Sequence, residues 1–285
     1  MPPHSLRFEA IGTGWQIDTA APLSDEIVAA IHQRIDDYDR AWSRFRDDSL
    51  VSRMAREPGQ WRLPSEAAPL LELYRRLYTA TDGAVSPLVG DSLVALGYDR
   101  SYSLRSTGPT PAARWEDAIA WDGEQLTCLK PVTIDVGAAG KGQLVDLVGA
   151  LLAETDAGGF TVDASGDLLH SGPTSLRVAL EHPLDASLAV GVVELGTRAL
   201  CASAANRRTW GDRLHHILDA TTGLPTRRVL ATWVIADSAL IADGLATALF
   251  FAEPERLHGF EFEYVRMFDD GRLDWSPGLQ GEVFA

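Results

Sequence analysis

Eight consecutive residues, Asp135-Val136-Gly137-Ala138-Ala139-Gly140-Lys141-Gly142, put a carboxylate, three glycines and a lysine into one turn. A glycine-rich turn that feeds a helix start lets backbone N–H groups approach a phosphate, and a lysine at the same end adds positive charge. The pattern is not a P-loop, because two residues separate Gly137 from Gly140 and Gly142 stands where a Ser or Thr would hold magnesium. A dinucleotide fingerprint would need a further glycine. On spacing alone, anion binding and a tight turn whose glycines serve packing remain open. The basic residues are almost all arginine, with lysine only at Lys130 and Lys141, which tilts the reading of Lys141 toward function.

A second constellation is Ala242-Asp243-Gly244-Leu245-Ala246-Thr247. On a helix, residues four apart share a face, so the Asp243 carboxylate and the Thr247 hydroxyl can address one hard cation, magnesium by preference. An amphipathic helix with one polar edge is the simpler account of that spacing. A third is His215-His216 with Asp219, ahead of Thr222-Gly223-Leu224-Pro225. It could serve a metal, a base with its orienting carboxylate, or only a strand end before a turn. In Asp163-Ala164-Ser165-Gly166-Asp167 two acids could act as acid and base, but aspartates in such turns more often bond their own backbone. The chain carries no GxSxG, HExxH or kinase signature.

The elements that must position these residues are partly readable. Phe8 to Asp18 alternates as a strand, and Ser24-Asp25-Glu26 opens a helix whose buried face is Ile27, Ile31 and Ile35. The polar stretch Arg44 to Ser52 reads as a surface loop. A helix follows Ser65, with Leu70, Leu73, Tyr74 and Leu77 in phase and Pro69 in its opening turn. Residues 81–98 suggest an ordered loop with a short helix. Val132 to Val136 reads as a strand, followed by the glycine turn and a helix with Leu144, Val145, Leu147, Val148, Leu151 and Leu152 on its apolar face. Further strands are expected at Phe160 to Ala164, Leu176 to Leu180, Ala189 to Leu195, Ala199 to Ala202 and Val229 to Ile235. A helix is expected from Ala239 to Phe251 behind a Ser238 cap. Clustered strands favour an α+β fold over a doubly wound sheet.

With 285 residues, 46% of them apolar and 23% charged, the chain has the composition of a globular protein with a large core. Residues 1–285 read as one domain, and the Pro/Thr/Gly-rich stretch 107–114 is the place for an internal lobe boundary. The net charge of −15 argues against a nucleic-acid partner. Cys128 and Cys201 are too isolated for a zinc or disulfide framework and read as buried small hydrophobes. The opening MPPHSLRFEAIGTGWQ shows no secretory signal or lipid-anchoring cysteine, so a cytoplasmic protein without a membrane anchor is expected.

The order of these motifs resembles the ApbE family of flavin transferases over nearly the whole chain. WSRFRDDSLVSRM is similar to that family's Ser-Arg-Tyr and Asp-Ser segment, and TDGAVSPLVGDSLVALGYD to its Asp-Gly-Ala-Phe, Asp-Pro and Trp-Gly-Phe segment. IDVGAAGKGQLVD, DASGD, HHILDATTGLP and LIADGLATALF resemble four later family segments in the same order. The chain departs from the pattern at Asp163, Ser165, Leu96, Ala220 and Thr221.

The resemblance implies a T-fold-like α+β structure, with two sheet-bearing lobes, flanking helices and the active site between them. It implies a magnesium-dependent enzyme that uses FAD to attach FMN to a Thr or Ser of a target flavoprotein, releasing AMP. By motif, Asp243, Thr247 and the Ala138 carbonyl would hold magnesium. Asp135 and Lys141 would contact FAD, and His216 would sit beside it as the leading base. Ile11, Phe45 and Ala95-Leu96-Gly97 would border the flavin and adenine. Two alternatives use the same site: hydrolysis of FAD to FMN and AMP, and FAD binding without turnover.

Overall fold

The computed structural model describes residues 4–211 and 214–284; residues 1–3 of the N-terminal stretch lie outside the described residues. Ser24 caps the first helix, α1 (Asp25–Trp42), by accepting from the Ile27 N–H, and two acids follow in the first turn as the helix dipole favours. Ile31 and Ile35 turn inward as the periodicity requires, joined by Tyr38 and Trp42. The other long helices are α2 (Ala67–Ala80), α3 (Gly140–Ala153) and α4 (Ala239–Ala248), the last capped by Ser238.

Eight strands form one antiparallel sheet in which spatial order follows chain order: β1 (His4–Ala10), β2 (Thr13–Thr19), β3 (Phe160–Asp163), β4 (Asp167–Ser171), β5 (Ala199–Ala204), β6 (Val229–Ala236), β7 (Glu263–Phe268) and β8 (Leu273–Trp275). Period-two alternation along β6 shows what covers each face. Ala231, Trp233 and Ile235 pack into a core with Leu180, Val190, Val193 and Leu195 of a small sheet made by Leu176–Glu181, Ala189–Leu195 and Gly281–Val283. Val234 and Ala236 face the helices, in a core that includes Ala242, Leu245 and Ala246 of α4, and the Thr232 hydroxyl donates to the Ala246 carbonyl at 2.6 Å. A second three-stranded sheet joins Gly59–Arg62, Gln125–Cys128 and Ile119–Trp121.

The α+β class holds, as do the expected strands from Phe160 onward and the four long helices expected after Ser24, after Ser65, after the glycine turn and behind Ser238, the last ending at Ala248. Three local expectations do not. Phe8 to Asp18 is not one strand but parts of the β1–β2 hairpin, turned at Ile11 (φ 47°) and Gly12 (φ 76°). Val132 to Val136 runs without a strand partner, tied by the Asp135 N–H to Pro87 O at 2.8 Å and the Thr133 N–H to Asp91 Oδ2 at 3.2 Å. The loop expected at Arg44 to Ser52 gives way to a short helix, Leu50–Arg56, because Ser49 accepts from the Ser52 N–H and caps it. Residues 107–114 hold no helix or strand, yet the Ala112 N–H donates to Ala220 O at 2.8 Å, tying this segment to the turn after the histidines.

Candidate active site

A cavity of about 770 Å³ opens between the C-terminal end of α1, the start of α3, residues 84–104 and the excursion 203–218. That volume lies in the range of small-molecule and cofactor sites. Its aromatic wall is continuous. Phe45 and Tyr102 stack at 5.3 Å with rings 4° apart, Phe45 meets Tyr98 edge-on at 5.6 Å, and Tyr98 stacks on Trp210 at 5.4 Å. Ile11, Tyr102 and Leu104 all line the cavity with positive φ. A left-handed β-branched residue such as Ile11 costs strain, and strain of this kind gathers at functional sites.

The glycine turn sits at the other end. Asp135 Oδ1 accepts from the Gly137 N–H at 2.7 Å and Oδ2 accepts from Arg44 Nε at 2.5 Å, so this carboxylate braces the turn against α1. The Ala138 N–H donates to the hydroxyl of Tyr74, a fully buried side chain of α2, at 3.2 Å, and the Ala138 carbonyl accepts from Thr247 Oγ1 at 3.3 Å. Asp243 lies one helical turn before Thr247, 4% exposed, with Oδ2 accepting from the Gly142 N–H at 2.9 Å. One carboxylate, one hydroxyl and one carbonyl thus gather where the start of α3 meets the middle and end of α4. That all-oxygen set fits magnesium. Among the described residues no group of three His, Cys, Asp or Glu side chains is placed to hold a metal.

Lys141, in the first turn of α3, donates to Ala164 O at 2.9 Å and lies 2.9 Å from Asp167 Oδ2. The second contact falls outside hydrogen-bond geometry, which leaves both oxygens of the fully buried Asp167 without a hydrogen-bond partner. Burial lowers the Lys141 pKa, but Asp167 and Asp243 outweigh it, so the net shift is upward and the ammonium stays charged. Burial, then the Asp167 charge, pushes Asp243 well above the usual carboxylate range against the pull of Lys141. A cation beside Asp243 would favour its charged form.

His216 lines the cavity, and its Nδ1 is buried without a partner. Burial, with the Arg208 and His215 charges adding, pushes it down to about 4, so the ring is neutral at pH 7. Two more buried nitrogens without a partner, Trp42 Nε1 and Arg44 Nη2, belong to side chains that line the same cavity. Buried polar groups are rarely left unpaired, so three at one cavity mark where a ligand's acceptors and donors belong.

Of the residues expected at the site, Ile11, Phe45, Asp135, Ala138, Lys141, His216 and Thr247 line the cavity, with Asp243 directly behind them. Ala95, Leu96 and Gly97 are not on its surface. Leu96 is buried, its carbonyl accepting from Trp210 Nε1 at 2.8 Å, and Ala95 O accepts from the Thr107 N–H at 2.7 Å. Gly97 has φ 91°, and a Cβ there would meet Arg105 N at 2.4 Å. The three carry the aromatic wall from behind. Trp42, Arg44 and Arg208 were not singled out by spacing, and Asp167 was read with Asp163 as an aspartate of a turn. A chain so poor in lysine points to Lys141, whereas nothing in WSRF separates Arg44 from the arginines around it.

Fold and cavity together define a class: an α+β ligand-binding protein whose cavity joins an aromatic wall to a cationic, oxygen-lined end. More narrowly, the chain belongs to the ApbE family, whose model matches residues 11–262. A FAD:protein FMN transferase of Klebsiella pneumoniae (strain 342) is 24% identical over 276 residues, covering 88% of this chain and 79% of that protein. One from Rhodobacter capsulatus is 27% identical over 267 residues, covering 86% of this chain and 50% of the relative. The crystal structure of the ApbE protein from Thermotoga maritima superposes with a TM-score of 0.84 at 23% identity, covering 96% of both chains. Flavin transferase ApbE from Vibrio cholerae gives 0.78 at 20% identity, again over 96% of both. At these identities the structural likeness establishes the fold.

Proposed function

We propose that this chain is a magnesium-dependent FAD:protein FMN transferase, moving FMN from FAD to a Thr or Ser hydroxyl of a target flavoprotein and releasing AMP. The observation that carries the reading is an aromatic-walled cavity whose other end is lined by Lys141, Ala138 and Thr247, with Asp243 bonded to the Gly142 N–H behind them. Names borne by the family relatives agree with it.

In this reading Asp243, Thr247 and the Ala138 carbonyl hold the ion, which supplies neutralisation of diphosphate charge when bound. Lys141 has three N–H donors; Ala164 O takes one, Asp167 lies beside the ammonium as its counter-ion, and a further donor is available to a phosphate oxygen. The acceptor hydroxyl attacks the FMN-side phosphorus, the bond to the bridging oxygen breaks, and AMP leaves with that oxygen. The hydroxyl proton goes to neutral His216.

The low pKa of His216 sets a pH signature. Its neutral form is the base, so kcat/KM should stay level from neutrality down toward pH 5 and fall only as the pH approaches about 4. Stability changes in the same direction. An unfolded histidine takes its proton near 6.5 and the folded one only near 4, so the stabilisation from neutral His216 is complete above 6.5 and is lost as pH falls through 4. An acid limb centred near 6.5 would remove His216 from the role of base.

The direct test incubates the protein with FAD, magnesium and a Thr-bearing flavoprotein domain and reads the acceptor's mass. A gain equal to FMN, with AMP released in equal amount, is expected. Free FMN and AMP with an unchanged acceptor would replace transfer by hydrolysis, and intact bound FAD would leave a binding protein.

A further inference from the structure

Two of the three orphaned cavity nitrogens, Trp42 Nε1 and Arg44 Nη2, come from the turn that ends α1. Arg44 is the more informative. Its side chain is 3% exposed, its Nε is engaged by Asp135, and its guanidinium carbon lies 4.2 Å from the Phe45 ring centroid and 5.1 Å from that of Tyr98. Asp135 already balances the charge. What remains is a buried N–H donor without a partner, held in a fixed plane between aromatic rings on a side chain that lines the cavity.

Two acceptors could complete such a donor: a phosphate oxygen or the carbonyl of a flat heteroaromatic ring. A phosphate brings negative charge, which a neutralised guanidinium in an apolar setting serves poorly and which Lys141, at a helix start, serves well. A ring carbonyl brings a planar body, which the stacked surfaces of Phe45, Tyr98, Tyr102 and Trp210 suit. The hydrogen-bonding plane of an arginine fork matches a carbonyl lying in a stacked ring.

We infer that Arg44 is a specificity-determining residue that holds a ring carbonyl of the isoalloxazine through Nη2, while Asp135 fixes the guanidinium plane. The inference rests on FAD as the ligand of this cavity. Arg44 reads the ring, and Lys141 reads the diphosphate. A ligand with adenine and diphosphate but no flavin ring gains nothing from Arg44.

The test measures equilibrium binding of riboflavin, FAD and ADP-ribose to the full chain and to Arg44→Met and Arg44→Lys. Riboflavin carries the ring without phosphate, and ADP-ribose the diphosphate without the ring. Both variants should bind riboflavin and FAD roughly 10- to 100-fold more weakly, as loss of a charge-assisted hydrogen bond to a buried donor predicts, and ADP-ribose within about threefold of the parent. The near-ultraviolet shift of bound riboflavin should shrink alongside. Arg44→Lys keeps a cation beside Asp135, so it gives the answer if Arg44→Met does not fold. An equal loss for all three ligands, or a loss confined to ADP-ribose, overturns the inference and makes Arg44 a structural brace or a phosphate contact. If the parent binds FAD and the variants bind riboflavin unchanged, only the Arg44 assignment falls. If the parent binds neither flavin, the transferase reading falls with it.

Discussion

Asp243→Asn should lower FMN transfer on the order of a thousandfold, the scale expected when a group that neutralises transition-state charge is removed. The amide is nearly isosteric, and its oxygen can still accept from the Gly142 N–H, which now meets Asp243 Oδ2 at 2.9 Å. What goes is the anionic ligand proposed for the ion. In the free protein this carboxyl sits in an unfavourable place, buried and facing the Asp167 charge, so neutralising it should not weaken the fold. The combination separates chemistry from stability: activity collapses and magnesium titration loses its effect, while the melting temperature holds or rises. Full activity in a folded Asp243→Asn protein would sink the metal assignment.

Gly142→Ala is the second large effect, and its sign runs against habit. In an exposed helix, Gly to Ala stabilises by about 0.5–1 kcal/mol. At this position α3 crosses the start of α4 so closely that a Cβ would lie 2.1 Å from Ala239 O, 2.6 Å from Ala239 C and 2.7 Å from Asp243 Cβ. The first two are backbone atoms and cannot swing aside. The helices must part, at a cost of about 3 kcal/mol. Urea unfolding should therefore shift to a lower midpoint. Because Ala239 and Asp243 move with α4, metal-dependent activity should drop too. A Gly142→Ala protein as stable as the parent would show that the two helix starts do not touch in this way.

How much of this was legible depends on how locally each feature is determined. Ile31 and Ile35 recur at helical spacing and Ser24 stands at the cap, so α1 could be read from its own residues. Lys141 and the Asp243/Thr247 pair were visible because a rare residue and an i, i+4 spacing are local signals. Val132 to Val136 misled because β-propensity describes fit to a pleated surface, and no strand lies beside it to supply one. Ile11 misled in the opposite way: a β-branched residue that favours strands is held left-handed by the β1–β2 turn. Arg44 could not be found, since its partner Asp135 is brought near only by the packing of α1 against α3. Asp167 looked like a turn aspartate. Asp163 does behave as one, accepting from the Gly166 N–H at 3.1 Å, but Asp167 is fully buried beneath Lys141.

The order of strands in the large sheet carries a consequence for how the chain is made. β1 and β2 leave the ribosome well before β3, yet β2 pairs on its inner side with β3, and residues 20–159 must be synthesised before that partner exists. Closing so long a loop is slow, though the entropic cost grows only logarithmically with its length. In the interval the nascent hairpin offers an unpaired edge to other chains, a hazard that chaperones manage. Ile11, at the hairpin's turn, is also a wall of the cavity. Completion of the cavity wall is thereby tied to this long-range pairing, so a chain stalled before that step can display several of its helices and still lack a complete cavity.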